Sequence, residues 1–261
     1  GFERTMREGV ADIVQRQAET GLAVVSDGET SKIGYSTYLH DRYSGFGGEV
    51  KGKLQLDLRD HPEFVNRMQA FTGPRTYTRM QCIAPIELKD RALLENDIAN
   101  FREALAGARV TEGFMNAASP GVVSAFLPNA WYPSHEAYIE ALAEALRLEY
   151  EAIAGAGFLL QIDCPDLAMS RHTAFQDLTE AQFLARSAFH VEALNHALNN
   201  VPIDQVRAHI CWGNYEGPHD HDIAVEKILP VVLKLKARAL LFESANPRHE
   251  HEWAVWRDAR V

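Results

Sequence analysis

The chain has 261 residues, 46% of them hydrophobic, which is enough for one large α/β domain, and it carries a formal net charge of −10. Its 26 Lys and Arg are interspersed among 36 Asp and Glu rather than clustered, which argues against a nucleic-acid partner. Apolar runs such as 158–162 are too short to cross a bilayer and the amino terminus lacks a basic-then-apolar leader, so the expectation is a cytoplasmic protein with no membrane partner.

Cys82, Cys164 and Cys211 are odd in number and widely spaced, which fits a reducing compartment and builds no disulfide framework. Gly1 stands where a Met would start a chain, already in a helical pattern, which suggests a polypeptide incompletely represented at its ends.

In chain order, the first predicted strand covers 23–27. It is followed by a Gly- and charge-rich stretch, 43–53, read as a loop or hairpin within an insertion at about 40–60. Further strands are predicted at 80–84, 121–126, 158–163, 206–211 and 239–243. Ser134 caps a helix in which Ile139, Leu142, Leu146, Tyr150 and Ile153 recur at helical spacing up to Gly155. Thr179 and Gln182 form a capping box for the next helix, and Asp222 is placed as the cap of a third, which Pro230 should kink. Strands alternating with amphipathic helices across 1–261, without linker or repeat, predict one domain. Both a doubly wound sheet and a (β/α)8 barrel satisfy that pattern, and the lack of a Gly-rich phosphate loop after any strand favours the barrel.

In either architecture the chemistry sits where the strands end. Those ends read Ser26-Asp27-Gly28-Glu29, Gln161-Ile162-Asp163-Cys164, His209-Ile210-Cys211 and Phe242-Glu243. Residues two apart share one face of a strand, so His209 and Cys211 point the same way, and Glu243 ends the next strand, about 4.8 Å away. Nitrogen, sulfur and oxygen donors around one point suit zinc better than magnesium or an iron–sulfur cluster. The same pair, taken alone, reads as a buried thiol and a satisfied core histidine; it is the joint placement with Glu243 that introduces the metal. The histidine pairs of 217–222 (GPHDHD) and 247–253 (PRHEHEW) fall after strand ends and read as solvated surface or helix caps, with substrate contact as the alternative. Cys82 and Cys164 read as packing.

Four stretches carry a resemblance: VVSDGE at 24–29, QIDCPDL at 161–167, HICWGN at 209–214 and LLFESANPRHEHEW at 240–253. In that order they resemble the catalytic, carboxyl-terminal barrel of cobalamin-independent methionine synthase, and more closely its single-barrel "methionine synthase II" relatives. The resemblance implies a (β/α)8 TIM barrel whose first and last strand segments, the latter bringing a further zinc-binding Cys, lie outside these residues. It implies that His209, Cys211 and Glu243 bind Zn2+, and that Glu29 and Asp163 hold the amino-acid thiol at the catalytic centre. Phe126 falls near the position of a tryptophan that packs on folate, and Cys164 replaces the Glu that follows the Asp in the full-length enzyme. The implied activity is methyl transfer to a thiol, homocysteine or similar, from a folate or another donor. A free thiol with a pKa of about 8.5 is mostly protonated at neutral pH, and coordination to a dication removes that proton. Alternatives are a zinc-dependent thiol alkylation with another electrophile, of the epoxide and coenzyme M type, a metal-free barrel enzyme of the decarboxylase type, and a small-molecule-binding barrel without catalysis.

Overall fold

The structure, a computed structural model, describes residues 1–72, 78–214, 217–245 and 247–259. At its centre a curled parallel half-barrel sheet carries five strands in the order β1-β4-β5-β6-β7. These are β1 (Val24–Ser26), β4 (Glu112–Ala118), β5 (Leu159–Asp163), β6 (Val206–Ile210) and β7 (Ala239–Phe242). The strands β2 (Phe46–Lys51) and β3 (Thr78–Cys82) form a separate antiparallel pair.

Helix α1 (Phe2–Glu19) precedes β1, and α2 (Leu39–Arg42), α3 (Leu56–Asp60) and α4 (Pro62–Thr72) surround β2. Helix α5 (Ala92–Ala106) leads into β4, while α6 (Pro120–Phe126) and α7 (His135–Gly155) join β4 to β5. Helix α8 (Glu180–Ala197) joins β5 to β6, α9 (Val225–Val232) joins β6 to β7, and α10 (Trp253–Asp258) follows. Parallel neighbours require such crossovers, so the chain alternates strand and helix as expected. The described strands make a half-barrel rather than a closed ring of eight.

Local sequence explains the long crossovers. Ser134 Oγ accepts the Ala137 N–H at 3.1 Å and opens α7, whose Ile139, Leu142, Leu146, Tyr150 and Ile153 are all buried. Thr179 and Gln182 close a reciprocal capping box on α8, at 2.9 and 3.3 Å. Helix α2 is pinned from inside: buried Arg42 donates to Glu149 on α7 at 2.7 Å and to Asp97 on α5 at 2.5 Å. Tyr38 donates to the other Glu149 oxygen at 2.8 Å, so each buried charge has a partner.

Three expectations need correction. Residues 121–126, predicted as a strand, lie in α6: Ser119 caps it through a 3.1 Å bond from Val122 N, and Pro120 occupies its first turn. The strand at this point is the seven-residue β4, which ends at Ala118, between β1 and β5. The predicted strand 80–84 overlaps β3, but it pairs with β2, inside the 40–60 segment, and not with the central sheet. Asp222 does not cap α9, whose N-cap is Ala224; Pro230 does lie within that helix.

Gly121 sits against the carboxyl group of Asp166 and the ring of His190: a Cβ there would fall 1.8 Å from Asp166 Oδ2 and 2.3 Å from His190 Nδ1. Gly121→Ala should therefore destabilise the fold by about 2 kcal/mol or more. Urea denaturation checks this, and an unchanged midpoint would contradict the packing described.

Candidate functional site

Register sets the site. Asp163 at the end of β5 is the Cα partner of Ala118 on β4 and of His209 on β6, and His209 is the partner of Leu241 on β7. Along β6, Val206, Ala208 and Ile210 are buried towards the helices while Arg207 and His209 are only half-buried and share the opposite face. Three donors from three strands converge on the buried Asp163 carboxyl group. Asn116 Nδ2 donates to Oδ2 at 2.9 Å, Gln161 Nε2 to Oδ1 at 3.2 Å, and His209 Nδ1 lies 3.1 Å from Oδ1. Arg207 on the same face lays its guanidinium 3.7 Å from the centroid of the Phe114 ring.

The bond to Asp163, followed by one to the Cys211 thiol, pushes the His209 pKa up to about 10. The Cys211 thiol is thus near enough to the His209 ring to influence its titration. Glu243 is exposed and follows directly on β7, one residue beyond the last pair of the register, Ile210 with Phe242. Two groups of three His, Cys, Asp or Glu donors lie mutually within 4.8 Å among the described residues, and neither includes His209, Cys211 or Glu243.

Glu29 adopts a left-handed backbone (φ 52°) directly after Gly28 (φ 67°), and its N–H is held by Asp27 Oδ1 at 3.1 Å. Burial raises its carboxyl pKa, opposed by Lys32. Lys32 Nζ lies 3.8 Å from Glu29 Oε1, donates to the Asn116 carbonyl at 2.5 Å and sits 4.4 Å over the Tyr38 ring. Glu29 Oε1 is buried and accepts no hydrogen bond.

Phe126 ends α6 and lines a cavity of about 310 Å³ with Tyr35, His40, Arg79, Met80 and Leu127. Its ring meets Tyr35 edge-on at 5.6 Å, and the Arg79 guanidinium lies 5.3 Å from its centroid. Tyr35 is 36% exposed, and partial burial, followed by the nearby Cys211 and Asp163, raises its pKa.

Asn116, Lys32 and Tyr35 were not singled out in the sequence; Gln161 carried a signal, two residues before Asp163 and so on its face. The histidine-rich stretches are only in part the solvated surface they resemble: Asp220, Glu250, His251 and Trp253 are exposed, but other side chains turn inward. The side chains of His219, Asp222 and His249 are 1%, 6% and 6% exposed. His219 Nδ1 and His249 Nε2 lie 2.9 and 3.0 Å from Asp222 Oδ2. Trp212 stacks on His249 at 4.1 Å. Cys82 and Cys164 are buried, and burial pushes both thiols up.

No model of a known protein family matches this sequence, and no curated protein matches it. The solved structure of a B12-independent methionine synthase from Shewanella sp. W3-18-1 in complex with selenomethionine is similar, with a TM-score of 0.59 and 17% identity. The match covers 81% of this chain and 53% of that one, so the chain spans about half the length of its neighbour. At this identity the likeness is one of fold.

Behind the strand ends runs a second carboxylate–imidazole chain. Ser119 Oγ donates to Asp166 Oδ1 at 2.7 Å, Asp166 Oδ2 lies 2.9 Å from His190 Nδ1, and His190 Nε2 lies 2.8 Å from His135 Nε2. Burial, and then the adjacent His190, lower the His135 pKa from 6.5 to about 3. Below pH 6.5 the unfolded chain binds a proton that the folded chain refuses, so this residue removes stability as pH falls towards 3. His135→Gln should lose less stability than the parent between about pH 7 and about pH 4.5, as urea titrations at both values would measure.

Proposed function

We propose that the protein is a zinc-dependent methyltransferase that delivers a methyl group to a small thiol, built on a methionine-synthase-like barrel of which the five parallel strands form part. The observation that carries this reading is the Asp163–His209–Cys211 arrangement: one imidazole nitrogen held by a buried carboxyl group at 3.1 Å, the ring facing a thiol two residues on. Zinc-binding histidines are oriented in the same way, by a carboxylate on the nitrogen that does not meet the metal. The donor set fits the ion, with borderline nitrogen and soft sulfur, and His209, Cys211 and Glu243 on the next strand end would hold it. Bound there, zinc supplies the positive charge that stabilises a thiolate at neutral pH.

The chain's own residues supply orientation. Asp163 fixes the His209 ring and is itself fixed by Asn116 and Gln161, so the ring does not turn when the thiol arrives. Glu29, with a buried oxygen that accepts no bond, is the acceptor for the ammonium of an amino-acid thiol, with Asp163 beside it. The Tyr35–Phe126–Arg79 cavity takes the methyl donor, in line with the thiol. The fold likeness supports the same assignment, and that neighbour was solved with selenomethionine, the selenium counterpart of a methylated thiol amino acid.

Elemental analysis and a panel of thiols and methyl donors test the reading. Cys211→Ser should lose zinc and lose methyl transfer to below detection while keeping its circular dichroism spectrum; full activity in that variant would refute the proposal. Asp163→Asn keeps the hydrogen-bonding shape but weakens orientation, and should lower zinc affinity or kcat/KM by about 10- to 100-fold.

A further inference from the structure

At the mouth of the half-barrel, three side chains from distant parts of the chain meet away from solvent. Asp57 on α3 and His172, in the loop after β5, have fully buried side chains (0% exposed), and Asp222, after β6, is 6% exposed. One donor atom of each lies within 4.8 Å of the other two.

Hydrogen bonding accounts for part of this cluster. Asp57 Oδ1 accepts the His221 backbone N–H at 2.8 Å, and Asp222 Oδ2 lies within reach of His219 and His249. His172 Nε2 lies 3.3 Å from the Trp212 carbonyl, which only accepts, so the ring proton is assigned to Nε2. With the proton on Nε2, Nδ1 presents a lone pair. That lone pair stands 2.8 Å from Asp57 Oδ2, yet buried Nδ1 makes no hydrogen bond, and neither does buried Asp222 Oδ1. Asp57 also belongs to a second close group with Asp220 and His221, so carboxylates accumulate around one neutral imidazole. His172 Nε2 lies 3.5 Å from Asp222 Oδ1, so two buried atoms that make no hydrogen bond, one on the ring and one on a carboxylate, stand together, and a cation between them stabilises both.

We infer that Asp57, His172 and Asp222 form a binding site for a divalent transition cation, distinct from the His209–Cys211 pair. Two carboxylates neutralise the dication and the imidazole gives a borderline nitrogen. With no thiolate, the site favours harder ions such as Mn2+, Fe2+, Co2+ or Zn2+ over Cu+. The ion ties α3 to the loops that follow β5 and β6, and it does not depend on the methyltransferase reading.

Cobalt(II) is the probe. Chelator-stripped Cys211→Ser protein should bind one equivalent of Co2+ with weak visible bands and no sulfur-to-cobalt charge transfer. His221→Ala added to that background should retain the ion, whereas Asp222→Asn should weaken binding at least tenfold. Crystals of the Cys211→Ser protein grown with Co2+ should give an anomalous peak bounded by Asp57, His172 and Asp222, which decides the matter even if Asp222→Asn fails to fold. No cobalt bound, or a peak elsewhere, including between Asp220 and His221, overturns the inference.

Discussion

A carboxyl group taken out of water must be given donors, and Asp163 obtains its donors from three adjacent strands at once. Asn116 comes from β4, Gln161 from β5 itself and His209 from β6. The demand is geometric as well as energetic. A slip of one residue would turn Asn116 or His209 to the helix side and leave the carboxyl group buried and under-satisfied. Parallel register and site geometry are therefore one constraint: the contacts that align the sheet also aim the imidazole at Cys211.

That constraint was readable from the strands most like isolated apolar runs. β1, β5, β6 and β7 lie within the stretches expected, because each is a short aliphatic run whose polar residues fall at its end. β4 was not readable in the same way. Glu112 opens it, small residues fill it, and the β-branched run that looked like a strand, Val122-Val123, belongs to α6. The Ser119-Pro120 pair was the local signal against that reading, since a serine cap followed by proline is how helices begin. With β4 misplaced, Asn116 could not be seen as a neighbour of Asp163, and one third of the carboxyl group's support was lost from view.

The mouth was less legible for a different reason. GPHDHD and PRHEHEW are polar enough to pass for surface, and nothing within them announces burial. Their partners come from elsewhere: Asp57 and Asp60 on α3 meet the loop at 221–222 from more than 160 residues away, and His172, after β5, meets Asp222 from fifty residues away. His221 Nε2 lies 2.7 Å from Asp60 and His61 Nε2 lies 2.8 Å from Asp220, so the inserted segment closes over the loop through paired acids and imidazoles. Periodicity reports which face of an element is apolar. It carries no information on which remote carboxylate a histidine will meet.

Of the carboxylate–imidazole pairs among the described residues, three are distinguished by the group at the other ring nitrogen. For His209, held by Asp163, a thiol lies against the ring, and the pair raises basicity where a metal or substrate sulfur would arrive. For His190, held by Asp166, the second nitrogen meets another imidazole, His135, which burial and its neighbour keep neutral. For His172, beside Asp57, a backbone carbonyl fixes the proton on Nε2 and leaves Nδ1 as a lone pair against oxygen. The same two residue types thus sit in three different settings: against a thiol, against a second imidazole and against a backbone carbonyl. The difference lies in the partner that each strand end or loop brings to the far side of the ring, which is why local composition alone did not separate them.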